Sequence, residues 1–181
     1  MGRSREAVVE GVARVRRAID AACERAGRDP SDVRLVAASK TVPAGAIAWA
    51  REAGVRDFGE NYVQELRAKR EAAPDARWHF IGTLQSHTAH HVADLADVVQ
   101  TLVPGRAVER LARRALSRGR RLAGLVEVDF TGVRGGVAPE ALPEAVAELA
   151  SVDGLQLVGL MTIPPLTEDA EGARPYFRRL R

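Results

Sequence analysis

Lys40 is the second-last residue of the run VRLVAASKT, residues 33–41, and is one of two lysines in a chain whose other 25 basic residues are arginine. Arginine cannot lose its proton, so it cannot attack a carbonyl. A lysine amine can, once a desolvating site lowers its pKa. Val33, Leu35, Val36, Ala37 and Ala38 make a nearly continuous apolar run. Asp29, Pro30 and Ser31 precede it and Pro43 follows, so turn signals bound both ends. Such a run suits a parallel strand covered on both faces. Lys40 then sits at the carboxyl end of a strand, where α/β folds bind ligands. The residues support two readings: a Schiff-base lysine, or an ordinary strand-end lysine reaching solvent.

The elements that must position this lysine follow in a regular rhythm. Residues 4–26 read as an amphipathic helix, with Val8, Val12, Val15 and Ile19 at helical spacing and Gly27 as its stop. Strands are expected at 33–38, 55–58, 78–81, 98–101, 122–128 and 155–160. Helices are expected at 43–53, 62–72, 88–95, 105–118 and 139–150, and a last one begins near Glu171. Val63, Leu66 and Lys69 lie along the 62–72 helix. Six alternations of strand and helix predict parallel strands joined by right-handed crossovers. An open doubly wound sheet and a (β/α)8 barrel both satisfy that pattern. No G-x-G-x-x-G follows the first strand, which removes support for a dinucleotide fold.

Residues at the strand ends gather on one rim. After the second strand come Gly59, Glu60 and Asn61; after the third, Gly82, Thr83, Leu84 and Gln85; after the fifth, Asp129; after the sixth, Met161 and Thr162. Glycines there would let a flat ligand approach the main chain. Every βα loop also needs such residues for turning alone.

Composition narrows the class. A chain of 181 residues fits one domain, here 1–181. Apolar residues make up 46% and aromatics 4%, so Ala, Val and Leu must do most of the packing. No stretch approaches the roughly 20 apolar residues of a membrane span. The opening MGRSREAVVEGVARVRRAID lacks a continuous apolar segment, and Gly2 before Arg5 and Glu6 makes no acylation context. A single cysteine, Cys23, excludes an internal disulfide, reads as a packing residue and fits a reducing cytoplasm. Basic residues cluster at 110–121 and 174–181, but Leu111, Ala112, Ala115 and Leu116 share the first cluster's helix. That helix is read as core on one side and solvated arginine on the other, without stacking aromatics, so nucleic acid is disfavoured as a partner. His87, His90 and His91 lack a carboxylate or cysteine set at ligand spacing, and no metal site is expected.

Four motifs in register, LVAASKTVP, DFGENYVQEL, WHFIGTLQS and GLMTIPP, resemble the pyridoxal phosphate homeostasis protein family, and the likeness runs on to RPYFRRLR. The resemblance implies an α/β fold, the (β/α)8 TIM-barrel type of the alanine racemase N-terminal domain, with about six of eight units in residues 33–181. It implies that Lys40 carries pyridoxal 5′-phosphate as a Schiff base. It implies buffering of this cofactor and delivery to apo-enzymes, by a cytoplasmic monomer or weak dimer without catalysis of its own. Asn61 could meet the ring's polar edge or close its own loop. His79 could pack near the cofactor or be a satisfied core residue, and Met161 could cover a ring face or fill space. Glu60 is a possible hydrogen-bond partner; Trp78 and Tyr62 read as packing residues.

Departures from the family pattern are visible. His87 and Thr88 stand after LQS, where asparagine and lysine are usual. In VDFTGVRGG, Asp129 replaces an asparagine and Arg134 a lysine, which alters the charge expected near the cofactor. The S-x-G-M-S and V-R-x-G segments of the family's last part are absent, so a fragment with weakened phosphate anchorage is expected. Two other functions stay open: a pyridoxal-phosphate-dependent racemase or lyase, and an interaction module that has lost the cofactor.

Overall fold

Ser4 starts the first helix by accepting a hydrogen bond from Ala7 N–H on its hydroxyl oxygen. Helix α1 (Arg5–Ala26) ends at Gly27, whose φ of 60° lets its amide turn back to the last carbonyls. The computed structural model describes residues 4–181, so Gly2 lies outside it. The described residues form two units, divided between His79 and Phe80.

In the first unit, Asp29 caps a short 3-10 turn, Pro30–Asp32, by accepting from Ser31 N–H. The parallel ladder begins only where Val36 pairs with Asp57. β1 is Val36–Ala38, three residues shorter at its start than expected. α2 (Ala44–Glu52) follows, with Pro43 at its cap. β2 is Asp57–Glu60, so Gly59 and Glu60 belong to the strand and not to the loop after it. The ladder shows why: Ala38 pairs in parallel with Gly59, and Ser39 N–H donates to Gly59 O. α3 (Val63–Ala72) follows, and β3 (Arg77–Phe80) carries the chain up to the division.

Side chains alternate along these strands. Phe58 and Trp78 share one face, with rings 5.5 Å apart, and both are fully buried with Ile47 and Leu66. Asp57 and His79 occupy the other face. The expectation that β1 is covered on both faces is not met: Ala38 is exposed, on the same strand face as Lys40. Tyr62 is exposed as well, where packing was expected. Cys23 is buried.

The second unit carries α4 (Ala89–Leu95), β4 (Val98–Leu102), α5 (Arg106–Ser117), β5 (Leu122–Glu127), α6 (Leu142–Ala150), β6 (Leu155–Met161) and α7 (Arg174–Leu180). β4, β5 and β6 are parallel and adjacent in chain order. α5 buries Val108, Leu111, Ala112 and Ala115, while Arg114 forks onto Asp94 with two bonds of 2.8 Å and Arg118 joins it. Gly154 turns the chain into β6 at φ 95°, with Ala112 O of α5 so near that a Cβ would lie 2.5 Å from it. All six expected strands form, each within a few residues of its expected ends.

Candidate functional site

Lys40 lies in the turn just beyond β1, and its side chain is exposed. The sequence left open a Schiff-base lysine in a desolvating site or a strand-end lysine reaching solvent; the structure gives a side chain open to solvent. β1 ends at Ala38; Ser39 after it is buried, and Lys40, in the turn beyond, is exposed.

The turn is unusual in its backbone. Thr41 has φ 60°, the single positive φ outside glycine among the described residues. A β-branched side chain there costs on the order of 1–3 kcal/mol. The amide of Thr41 donates to Glu65 Oε2 at 2.8 Å, which holds this conformation in place. Glu65 sits in the first turn of α3.

One turn further along α3, Lys69 is buried, with 5% of its surface exposed. Its ammonium donates at 2.6 Å to each of three oxygens: Ser39 O, Glu60 Oε1 and Glu65 Oε2. Ser39 Oγ donates to the same Glu60 oxygen at 2.7 Å. Glu60 is wholly buried, and its Oε2 has no hydrogen-bond partner. The Lys69 bond, with the Thr41 amide after it, holds the Glu65 carboxyl below the usual carboxylate range. Ser39, Glu65 and Lys69 were not singled out as site residues in the sequence. The signal was present: Glu65 and Lys69 are four apart on a helix, an ion-pairing spacing, and lysine is rare in this chain.

Asn61 follows directly on Glu60 at the carboxyl end of β2. Its Oδ1 is buried without a partner, a free acceptor in the same part of the unit as the Lys40 turn. His79 is elsewhere along the strands. It is buried, and its Nε2 lies 2.9 Å from Asp57 Oδ1. Burial pushes its imidazole below the ordinary histidine value, against the pull of Asp57. Asp57 is the first residue of β2 and Glu60 the last, so about 10 Å of strand separates the two arrangements.

Met161 ends β6 in the second unit, half-buried, and its carbonyl accepts from Val128 N–H at 2.8 Å. Asp129 does not stand free there. Its Oδ1 accepts from the Thr131 amide and hydroxyl and from Gly132 N–H, and its Oδ2 from Arg134 N–H at 2.6 Å. The Thr131 hydroxyl, followed by these amides, holds its carboxyl below the usual range. Asp129 thus builds its own loop. Beside it, Glu127 and Arg134 line a cavity of about 360 Å³ with Thr83, Leu84 and Thr101. Burial pushes the Glu127 carboxyl up, with Arg134 opposing. His90 and His91 stack on each other, centroids 3.9 Å apart.

In the first unit these parts make an accessible primary amine on a turn braced on both sides, with an unpartnered amide oxygen one strand away. That arrangement can capture an aldehyde and hydrogen-bond to a polar ring. Comparison with known proteins is specific. The family model for the N-terminal domain of alanine racemase matches residues 12–181. The pyridoxal phosphate homeostasis protein of Aquifex aeolicus is 38% identical over 176 residues, spanning 95% of this chain and 77% of the relative. The structure of PipY from Synechococcus elongatus with PLP bound is 33% identical with a TM-score of 0.76, covering 90% of this chain and 77% of that one. Alanine racemase from Bacillus anthracis shares the fold at 18% identity, with a TM-score of 0.70 over 97% of this chain and 44% of that one.

Proposed function

Because this chain belongs to the pyridoxal phosphate homeostasis protein family and has the α/β barrel-type fold of the alanine racemase N-terminal domain, we propose that it binds pyridoxal 5′-phosphate covalently through Lys40 and buffers or delivers it. The observation that carries this reading is the exposed Lys40 amine on its braced turn at the carboxyl end of β1.

The residues present fit the group. The cofactor supplies an aldehyde on a pyridine ring with a polar edge. Lys40 would hold it, contributing a primary amine open to solvent that could condense with the aldehyde, with loss of water. Asn61 contributes an acceptor with no partner inside the protein, suited to a donor on the ring edge. His79 is read as a buried residue held by Asp57, its Nε2 2.9 Å from Asp57 Oδ1. The likeness to a relative with PLP bound supports the choice of cofactor.

A carrier needs less than an enzyme. Racemisation or elimination requires a positioned acid and base on the cofactor. Glu65 and Glu60, the carboxyls nearest the Lys40 turn, are tied to Lys69, which favours storage and transfer over turnover.

The test is direct. The purified chain is mixed with pyridoxal phosphate, reduced with borohydride and digested, and the labelled peptide is mapped by mass spectrometry. Label on Lys40, with the visible absorption band abolished in Lys40→Ala, is the expected result. Asn61→Ala should weaken binding about 3- to 10-fold, the loss of one hydrogen bond, measured by titration of the same band. Label on Lys69 in preference to Lys40, or an undiminished band in Lys40→Ala, overturns the assignment.

A further inference from the structure

An ammonium has three N–H donors in a tetrahedral array and no acceptor. Lys69 uses all three inside the protein, and each acceptor connects to the Lys40 turn. The Ser39 carbonyl immediately precedes Lys40 in the chain. Glu65 holds the amide of Thr41, which immediately follows it. Glu60 holds the hydroxyl of Ser39. The residues on both sides of Lys40 are thereby tied to one buried cation on a neighbouring helix. Thr41, whose backbone is strained at φ 60°, is one of the two tied residues.

We infer that Lys69, with Glu60 and Glu65, is a positioning clamp that fixes residues 39–41 and so presents the Lys40 amine to a carbonyl ligand. The inference rests on the reading of Lys40 as the covalent anchor. Lys69 acts through the turn; its own amine is hidden in the clamp. The geometry also accounts for the residue type. A guanidinium is planar with five donors in a fork and does not match three oxygens gathered around a point. Lysine therefore stands at position 69 in a chain that otherwise uses arginine 25 times out of 27.

The test compares the wild-type chain with Lys69→Met, Lys69→Arg and Glu65→Gln, each first shown to be folded by circular dichroism and thermal melting. Glu65→Gln keeps its size and its side chain is 30% exposed, so it carries the test if Lys69→Met does not fold. Two readouts are taken. Hydrogen exchange of a peptide spanning residues 39–42 reports the turn without any cofactor. The rate of borohydride-trapped labelling of Lys40 by pyridoxal phosphate, with the induced circular dichroism of the visible band, reports presentation of the amine. The expected result is exchange and labelling each altered at least about 10-fold in the Met and Gln variants, faster and slower respectively, a weakened induced signal, and no rescue by arginine. Wild-type labelling and induced signal in a folded Glu65→Gln chain overturn the clamp and leave the Lys40 reading standing. Absence of label on Lys40 in the wild type overturns that reading and the inference with it.

Discussion

Glu65 is the acidic partner on which the Lys40 turn depends, and its titration gives a signed prediction. Lys69 first, then the Thr41 amide, hold its carboxyl below the ordinary value. A carboxylate shifted this way contributes stability that is full above its unfolded-state value and is lost as pH falls through the lower folded-state value. Glu65→Gln should therefore lower Tm by a few degrees at neutral pH, and the difference should vanish as pH falls through the lowered folded-state value. Melting curves of the two chains across that range check it. His79 runs the same way, through burial rather than an ion pair. Its imidazole folds neutral because it is buried, so the unfolded chain takes up the proton first as pH falls. Its contribution is full above about 6.5 and declines below; NMR titration should place its ring below that value. At this scale the sequence pointed to Lys40 and Asn61 as candidates and did not bring Ser39, Glu60 and Lys69 together, because these meet only when a strand end and a helix face are packed against each other. It also left His79 between a ligand neighbour and a core residue; its buried partner in the structure, Asp57, lies 22 positions away.

Elements were more legible than contacts. Each strand announced itself as a short apolar run between turn signals, and each helix by its spacing and its glycine or proline stops. What the pattern missed were ladder effects. β2 continues through Gly59 because Ala38 pairs with it there, and β1 starts late because its first ladder partner, Asp57, is where β2 begins. Close approach between elements was equally invisible. Gly154 reads as a simple turn residue, yet it is pressed against the α5 backbone at a φ that other residues avoid. Gly154→Ala should destabilise the protein by about 2–3 kcal/mol, measured by chemical denaturation. Trp78→Ala should cost about 3–5 kcal/mol, because the indole is fully buried against Phe58 and its Nε1–H donates to Ala73 O at 3.1 Å.

At the scale of the molecule, the chain spans 77% of the length of its relative from Aquifex aeolicus and is matched by its family model over residues 12–181. Among the described residues no helix is long and apolar enough to cross a membrane. The basic surface is built almost entirely from guanidinium groups, which leaves two lysine amines in very different settings: one exposed and one caged by three oxygens. A water-soluble acylating ester should therefore modify Lys40 in the native protein and reach Lys69 only when the first unit opens. Peptide mapping after brief exposure, with and without denaturant, checks that order. Lys69 would then serve as a built-in clock: the slow acylation of a caged amine counts how often that part of the fold comes apart under native conditions.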